Sequence, residues 1–198
     1  FRCLTDSSAS LFYSINNRLK IYFEPGQFIQ VNRKVNNLMI EKMIQLLSMK
    51  SKSTVIDLFC GSGNLSLPLA QYFEHVIGVE GASSLVKKAI ENARDNVMYN
   101  CEFIVADLSN ADSLDGVSKM ADQIDAIVLD PPRDGALAIM PWVANAGAKM
   151  VLYISCHPST MVRDAKILKG AGYRMSDVGV LDMFPHTAHV ESMSLFVR

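Results

Sequence analysis

The chain has 198 residues, 49% hydrophobic and 20% charged, a composition typical of a globular protein with one substantial core. Its apolar runs are far shorter than the roughly 18 residues of a membrane helix, so we expect a cytoplasmic protein with no membrane contact. With 19 basic and 20 acidic residues the net charge is −1, which gives no argument for nucleic-acid binding. The cysteines, at positions 3, 60, 101 and 156, are too widely spaced for a metal site, and we predict no metal.

The first part of the chain is predicted to be extended. Apolar and polar residues alternate over 11–31 around Glu24, Pro25 and Gly26, which predicts two extended segments joined by a turn at those three residues. We interpret residues 1–34 as an N-terminal β annex. Because the chain begins with Phe1 and not methionine, we expect it to be part of a longer protein.

Helices and strands alternate in the rest of the chain. Helices are predicted at 35–49, 65–73, 83–96 and 159–171, and strands at 54–59, 75–79, 102–105, 124–129 and 150–154. This alternation is typical of βαβ units, so residues 35–198 are predicted to form one α/β domain with a largely parallel sheet and helices on both faces. Such sheets bind ligands at the carboxyl ends of their strands.

The first two strand ends of this domain predict a cofactor site. The segment DLFCGSGN begins at Asp57 and contains a turn at Gly61 and Gly63, which lets the backbone approach a ligand. Ser66 replaces the third glycine of the dinucleotide fingerprint, so a turn with only a structural role stays an alternative. Glu80 ends the next strand at the spacing at which an acid holds both ribose hydroxyls of a nucleoside.

Two further acids follow predicted strands. Asp107 fits either adenine binding or, about equally well, a helix cap. Asp130 precedes Pro131 and Pro132, which fix the backbone at a point where core packing does not require it. Together the four strand ends favour an S-adenosylmethionine site over a nicotinamide site.

Cys156 lies in YISCHPSTMVRD, between a predicted buried strand and a helix opened by Pro158. An arbitrary cytosolic cysteine is more often a packing residue, but the flanking Ser155, His157 and Pro158 favour a functional role. A helix N-terminus stabilises a thiolate, so we expect the pKa of Cys156 to be lowered.

Six ordered motifs resemble those of the RNA uracil-C5-methyltransferases. They are FIQVNRKVN (28–36), DLFCGSGN (57–64), GVEG (78–81), LDPPRDGA (129–136), YISCHPSTMVRD (153–164) and LDMFPHTAHVESMSLF (181–196). The third and last motifs are most similar to the branch that modifies bacterial 23S rRNA, as opposed to the tRNA branch. The resemblance implies a Rossmann-like class I methyltransferase fold, with a mostly parallel seven-stranded sheet and an antiparallel last strand over 192–198.

The resemblance also implies residue roles and partners. It makes Cys156 the nucleophile, Glu191 the general base and RNA, in particular 23S rRNA, the substrate. Asp107 and His157 each replace an Asn of the family pattern. Longer relatives carry an RNA-binding domain and an iron–sulfur cluster, so a cluster is expected only in a missing part of a full-length protein. The implied S-adenosylmethionine contacts are Gln30, Phe59, Asn64, Glu80, Asp107 and Asp130.

Enzymes of this kind add a thiolate to carbon 6 of uracil so that carbon 5 can accept a methyl group, and a base then removes the carbon 5 proton. Alternatives are a tRNA-directed enzyme or a cofactor-binding fragment without independent activity. An amino-methyltransferase is disfavoured, since Arg133 stands where an aromatic residue is expected. A metal pair of His186 and His189 is disfavoured because no third ligand lies nearby in sequence.

Overall fold

The computed structural model describes residues 10–47, 53–120 and 123–198. Residues 1–9 of the predicted annex and the predicted helix end at 48–49 lie outside this part of the chain. No helix among the described residues is long and apolar enough to cross a membrane. The helices are α1 (Arg33–Leu46), α2 (Ser66–Ala70), α3 (Ser83–Asp95), α4 (Met140–Asn145) and α5 (Pro158–Gly170). The strands are β1 (Phe12–Ile15), β2 (Leu19–Tyr22), β3 (Thr54–Leu58), β4 (His75–Glu80), β5 (Cys101–Val105), β6 (Ala126–Leu129), β7 (Met150–Ser155), β8 (Arg174–Leu181) and β9 (Glu191–Val197).

Seven of these strands form one sheet in the order β5-β4-β3-β6-β7-β9-β8. The neighbours from β5 to β7 pair in parallel, whereas β9 runs antiparallel to both β7 and β8. The predicted seven-stranded sheet with an antiparallel last strand is therefore confirmed. Strand β8 and helix α4 were not predicted, and β8 is exposed along almost all of its length, so it lacks the buried apolar run that marks the other strands.

Side chains from opposite faces of the sheet enter two separate apolar clusters. Ile56 of β3 belongs to a cluster with residues of α4 and α5. Its neighbour Val55 points to the other face and belongs to a cluster with residues of β1, β2, α1 and α2. Helices thus cover both faces, as predicted, and the carboxyl ends of the parallel strands stay open at one edge.

An antiparallel pair was predicted in this region with its turn at 24–26, but both strands of the observed pair, β1 and β2, lie before those residues and are joined by a different turn. The turn is formed by Asn16 to Arg18, where Asn16 and Asn17 have φ values of 48° and 56°. Asparagine tolerates the left-handed backbone that a tight hairpin needs. The predicted turn at 24–26 is present, with the N–H of Gln27 donating to the carbonyl of Glu24 at 3.0 Å, but it follows β2 and does not join the paired strands. Ile15, Leu19 and Ile21 are at most 4% exposed and join the core below α1, and the boundary drawn between 34 and 35 stays a prediction.

Candidate active site

A cavity of about 640 Å³ opens where β3, β4, β6 and β7 end, within the range of about 300–1,000 Å³ typical of small-molecule sites. It brings together residues that are far apart in the chain, and Tyr13, Arg133, Phe184 and His189 line it as well. Seven of the eight predicted site residues are among its lining residues: Gln30, Phe59, Asn64, Glu80, Asp130, Cys156 and Glu191.

Asp107 is the predicted site residue that is not among the lining residues. Its side chain is exposed, and its Oδ1 accepts hydrogen bonds from the backbone N–H of Ser109 at 2.9 Å and from the Ser109 hydroxyl at 2.6 Å. These hydrogen bonds from Ser109 lower the pKa of Asp107. These contacts form a local turn, and the short 3-10 helix that follows (Ala111–Leu114) is capped by Asn110, whose side chain accepts from the N–H of Asp112 at 3.1 Å. The alternative of a helix cap at Asp107 is therefore wrong, and a cofactor contact stays a prediction.

Glu80 is tied to the glycine turn. Its Oε2 accepts from the backbone N–H of Gly61 at 3.2 Å, and its Oε1 accepts from the N–H of Ala82 at 3.0 Å. Gly61 has a φ of 55°, and a Cβ atom built there would meet no heavy atom within 4 Å. Packing therefore does not require glycine at this position, whereas the left-handed backbone beside an open cavity favours it. At Gly63, by contrast, a Cβ would lie 2.5 Å from the Leu67 side chain.

Phe59, directly after β3, has a φ of 65°. This conformation is uncommon for a large side chain and costs about 1–3 kcal/mol. Strain of this size is typical of functional sites, where the surrounding structure holds the residue in place. Phe59 lines the cavity just before the glycine turn, so the strain lies where a ligand would bind.

A network of side-chain amides holds Asn64, and sequence reasoning missed it. Asn64 Oδ1 accepts from the Tyr13 hydroxyl and from Asn36 Nδ2, both at 3.0 Å. In return Asn64 Nδ2 donates to Asn36 Oδ1 at 3.1 Å. Asn36 is 1% exposed. Asn36 lies in the FIQVNRKVN motif, which could have indicated a specific role for its side chain. A buried amide in a helix needs a specific hydrogen-bond partner.

We expect the change Asn36→Ala to lower the free energy of unfolding by about 1–3 kcal/mol, because it leaves both polar groups of the Asn64 amide short of a partner. Urea unfolding followed by circular dichroism measures this. Glu41→Ala, at an exposed position of α1, is the matched control. Equal effects of the two changes would contradict a structural role for the amide pair.

The sheet register places Cys156 next to Glu191. Ser155 and Ser192 are partners in the antiparallel pair of β7 and β9, and the Ser192 hydroxyl donates to the Ser155 carbonyl at 3.2 Å. Cys156 and Glu191 each lie one residue further toward the cavity, which both of them line. A thiol and a carboxyl group thus meet at one end of the cavity.

This end of the cavity is rich in carboxyl groups. Burial raises the pKa of Asp130 to about 6 and, together with repulsion from Asp130, that of Glu191 to about 7. Burial and these two carboxyl groups also raise the pKa of Cys156, while a hydrogen bond from its own backbone N–H and the charge of Arg133 oppose the rise. The expected lowering of the pKa of Cys156 is therefore wrong, because burial and the acids outweigh the N-terminus of α5.

A sheet with this strand order, carrying a glycine turn and an acid at the ends of its first two parallel strands, defines a class I methyltransferase fold. The family model of the tRNA (Uracil-5-)-methyltransferases matches residues 10–198, and the chain belongs to this family.

Similar proteins include the enzyme named 23S rRNA (uracil(1939)-C(5))-methyltransferase RlmD in two bacteria. The chain is 46% identical to that of Pseudomonas entomophila over 178 residues, which are 90% of this chain and 39% of the relative. It is 47% identical to that of Vibrio parahaemolyticus over 180 residues, 91% and 40% of the two chains. The chain thus spans about two fifths of the length of these relatives.

A solved structure has a similar fold and sequence. The Pyrococcus abyssi tRNA (uracil-54, C5)-methyltransferase in complex with S-adenosyl-L-homocysteine superposes with a TM-score of 0.79 at 25% identity. The match covers 95% of this chain and 44% of that one.

Proposed function

We propose that the chain is the catalytic part of an RNA (uracil-C5)-methyltransferase that uses S-adenosylmethionine to methylate a uridine of 23S rRNA. The observation that carries the proposal is the single cavity shared by Cys156, Glu191, Glu80 and the glycine turn. The names of the similar bacterial proteins favour 23S rRNA. The name of the Pyrococcus abyssi enzyme keeps tRNA as the alternative substrate.

The residues of the cavity fit S-adenosylmethionine. Glu80 and the Gly61 turn are proposed to hold the ribose, and Gln30, Phe59, Asn64 and Asp130 line the same cavity. The carboxyl groups of Asp130 and Glu191 have raised pKa values, so a positive charge nearby stabilises their ionised forms. When bound, the cofactor supplies such a charge, in its sulfonium, and the methyl group.

Cys156 and Glu191 divide the chemistry between them. The Cys156 thiolate adds to carbon 6 of the uracil, and the electron pair of the 5,6 double bond moves toward carbon 5. Carbon 5 then takes the methyl group. Glu191 removes the remaining proton from carbon 5, the double bond forms again, and the bond from carbon 6 to sulfur breaks to release Cys156 as a thiolate.

The position and acidity of Glu191 suit this role. A general base works best when its pKa lies near the working pH, and burial holds the pKa of Glu191 at about 7. Glu191 is 3% exposed, which keeps bulk water from competing for the proton. Because the pKa of Cys156 is raised, neighbouring groups must assist the loss of its proton.

The proposal is tested with RNA that carries 5-fluorouridine at the target position, incubated with the protein and S-adenosylmethionine. Because fluorine cannot leave as a proton does, each methyl transfer traps a covalent complex, and the complex accumulates even where turnover is slow. We expect mass spectrometry under denaturing conditions to show an adduct on Cys156. The variant Cys101→Ala, changed at another half-buried cysteine, should form the adduct, and Cys156→Ala should not.

Comparing a 23S rRNA segment with a tRNA segment as the fluorinated RNA decides between the two substrates. An adduct with tRNA alone would replace the rRNA proposal by its alternative. Calorimetric binding of S-adenosylmethionine without an adduct on either RNA would contradict the proposed reaction and favour a cofactor-binding role. If neither binding of S-adenosylmethionine nor an adduct is observed, the proposal as a whole is overturned.

A further inference from the structure

We propose that Thr160, Arg163 and Asp164 of α5 are positioning residues, which clamp the loop 130–136 and thereby hold Arg133 at the Cys156 end of the cavity. The importance of this clamp for catalysis rests on the proposed function. The contacts that form it are local and involve neither the glycine turn nor Glu80.

Asp164 is the buried centre of the clamp. It is 0% exposed, and its Oδ2 accepts from the backbone N–H of Ala136 and from the Tyr153 hydroxyl, both at 2.7 Å. Its Oδ1 accepts from Arg163 Nε at 2.8 Å. One carboxylate therefore connects the loop, strand β7 and helix α5, and a buried charge with this many partners fixes their relative positions.

Two further side chains of α5 hold carbonyl groups of the same loop. Arg163 Nη2 donates to the carbonyl of Asp134 at 2.8 Å. The Thr160 hydroxyl lies 3.1 Å from the carbonyl of Arg133 and 2.8 Å from that of His157. The backbone of the loop is thus bound on either side of Gly135 by residues within two turns of one helix.

The loop packs against α5 without room for another atom. Gly135 has a φ of 77°, and a Cβ built on it would lie 2.6 Å from Asp164 Oδ2 and 2.7 Å from Arg163 Nη2. It would also lie 3.1 Å from the Thr160 Cβ. Both the backbone conformation and this close approach require glycine, which shows how tightly the clamp is closed.

The clamp attaches the loop to the element that carries the nucleophile. Helix α5 begins at Pro158, two residues after Cys156, and Tyr153 lies on the strand that leads to Cys156. Arg133 is exposed at the cavity, with Nη2 3.5 Å from His189 Nε2. Asp130 and Glu191 raise the pKa of Cys156, and Arg133 is the cationic side chain that opposes them. A loosened loop would weaken the opposition that Arg133 provides.

A role in stability alone makes a different prediction. If the clamp only stabilised the fold, its loss would lower the melting temperature without changing the acidity of Cys156. If it positions Arg133, its loss shifts the pH dependence of Cys156 reactivity toward higher pH. The proposed hold of Glu80 and Gly61 on the ribose of S-adenosylmethionine is expected to stay unchanged, because Glu80 ends β4 and Gly61 lies in the turn after β3, both outside the clamped loop.

The test measures the rate at which iodoacetamide alkylates Cys156 as a function of pH, by mass spectrometry of the Cys156 peptide. Arg133→Gln removes the cation, and Thr160→Val removes one hydroxyl donor at a half-exposed position. Arg163→Met removes the bonds to the Asp134 carbonyl and to the Asp164 carboxylate. Lys166→Met, at an exposed position of the same helix, is the matched control. Alkylation needs no RNA, so its result is independent of the adduct experiment.

We expect Arg133→Gln to slow alkylation at pH 8 by about threefold or more, because loss of the cation raises the pKa of Cys156 and leaves less thiolate to react. Thr160→Val and Arg163→Met should shift the profile in the same direction, and Lys166→Met should not. Unchanged profiles for Thr160→Val and Arg163→Met would overturn the clamp, as would equal shifts in all four variants. A shift in Arg133→Gln, Thr160→Val and Arg163→Met that is absent from Lys166→Met supports the clamp even if no RNA adduct forms.

Discussion

Glu191→Gln is expected to stop the reaction after methyl transfer, so that Cys156 stays bonded to methylated RNA and turnover falls by about 10²–10⁴-fold. Glutamine has nearly the same shape as glutamate but cannot accept the carbon 5 proton. The addition step should be preserved, because Glu191 is one of the groups that raise the pKa of Cys156. Removing its charge makes the thiolate easier to form.

The measurement uses ordinary RNA with unmodified uridine and detects the protein–RNA complex on a denaturing gel and by mass spectrometry. The wild type should release its product, and Glu191→Gln should accumulate the complex. Glu74→Gln, at an exposed position, controls for loss of charge. Unchanged turnover in Glu191→Gln would show that the base lies elsewhere, and loss of both complex and turnover would assign Glu191 to an earlier step.

The pH profile of turnover gives an independent check on this assignment. With a pKa of about 7 for Glu191, activity should rise with pH through that value as the carboxyl group loses its proton. The raised pKa of Cys156 acts in the same direction. We therefore expect turnover to increase with pH on the acidic side of the profile, with no maximum of turnover at acidic pH.

The central strands could be predicted because each is buried on both faces and so appears as a short apolar run. The runs at β3, β4, β6 and β7 have few exposed positions, and helices separate most of them. Such a pattern also indicates which residues follow each strand. This is why the positions of Glu80, Asp130 and Cys156 at one edge of the sheet could be predicted from the amino-acid sequence.

Other features depend on pairing between distant residues, which no local pattern contains. The meeting of Cys156 with Glu191 follows from the antiparallel register of β7 and β9, and in the sequence Glu191 was assigned only through resemblance to a family. Asn64 is held by Tyr13, 51 positions away. The pKa of Cys156 likewise depends on Asp130 and Glu191, so its helix position alone predicted the wrong direction.

Asp57 is expected to make the protein less stable as the pH rises from about 4 to about 7. It is 0% exposed, one residue before the end of β3. Its Oδ2 accepts from the Ser66 hydroxyl at 2.5 Å, and its Oδ1 has no hydrogen-bond partner among the described residues. Burial raises the pKa of Asp57 from 3.8 to about 7, with the Ser66 hydrogen bond opposing and Asp130 and Glu80 adding to the rise.

The sign follows from proton binding. Between about pH 4 and pH 7 the folded protein keeps a proton on Asp57 that the unfolded chain has lost, so the free energy of unfolding falls as the pH rises. The contribution of Asp57 is fully favourable below about pH 4. Above the folded pKa the loss reaches about 4 kcal/mol, an upper bound for a group whose surroundings can relax.

Urea unfolding between pH 5 and pH 8 measures the effect. Asp57→Asn keeps an acceptor for Ser66 and should flatten the slope, so that at pH 8 the variant is more stable than the wild type. Asp112→Asn, at an exposed position, is the control. Both variants contain the same four histidines, so comparing their slopes of stability against pH removes the contribution of the histidines. If the slope persists in Asp57→Asn, the pH dependence of stability would be assigned to Asp130 and Glu191. Saturating S-adenosylmethionine should also flatten the slope, because a bound cation favours the ionised acids.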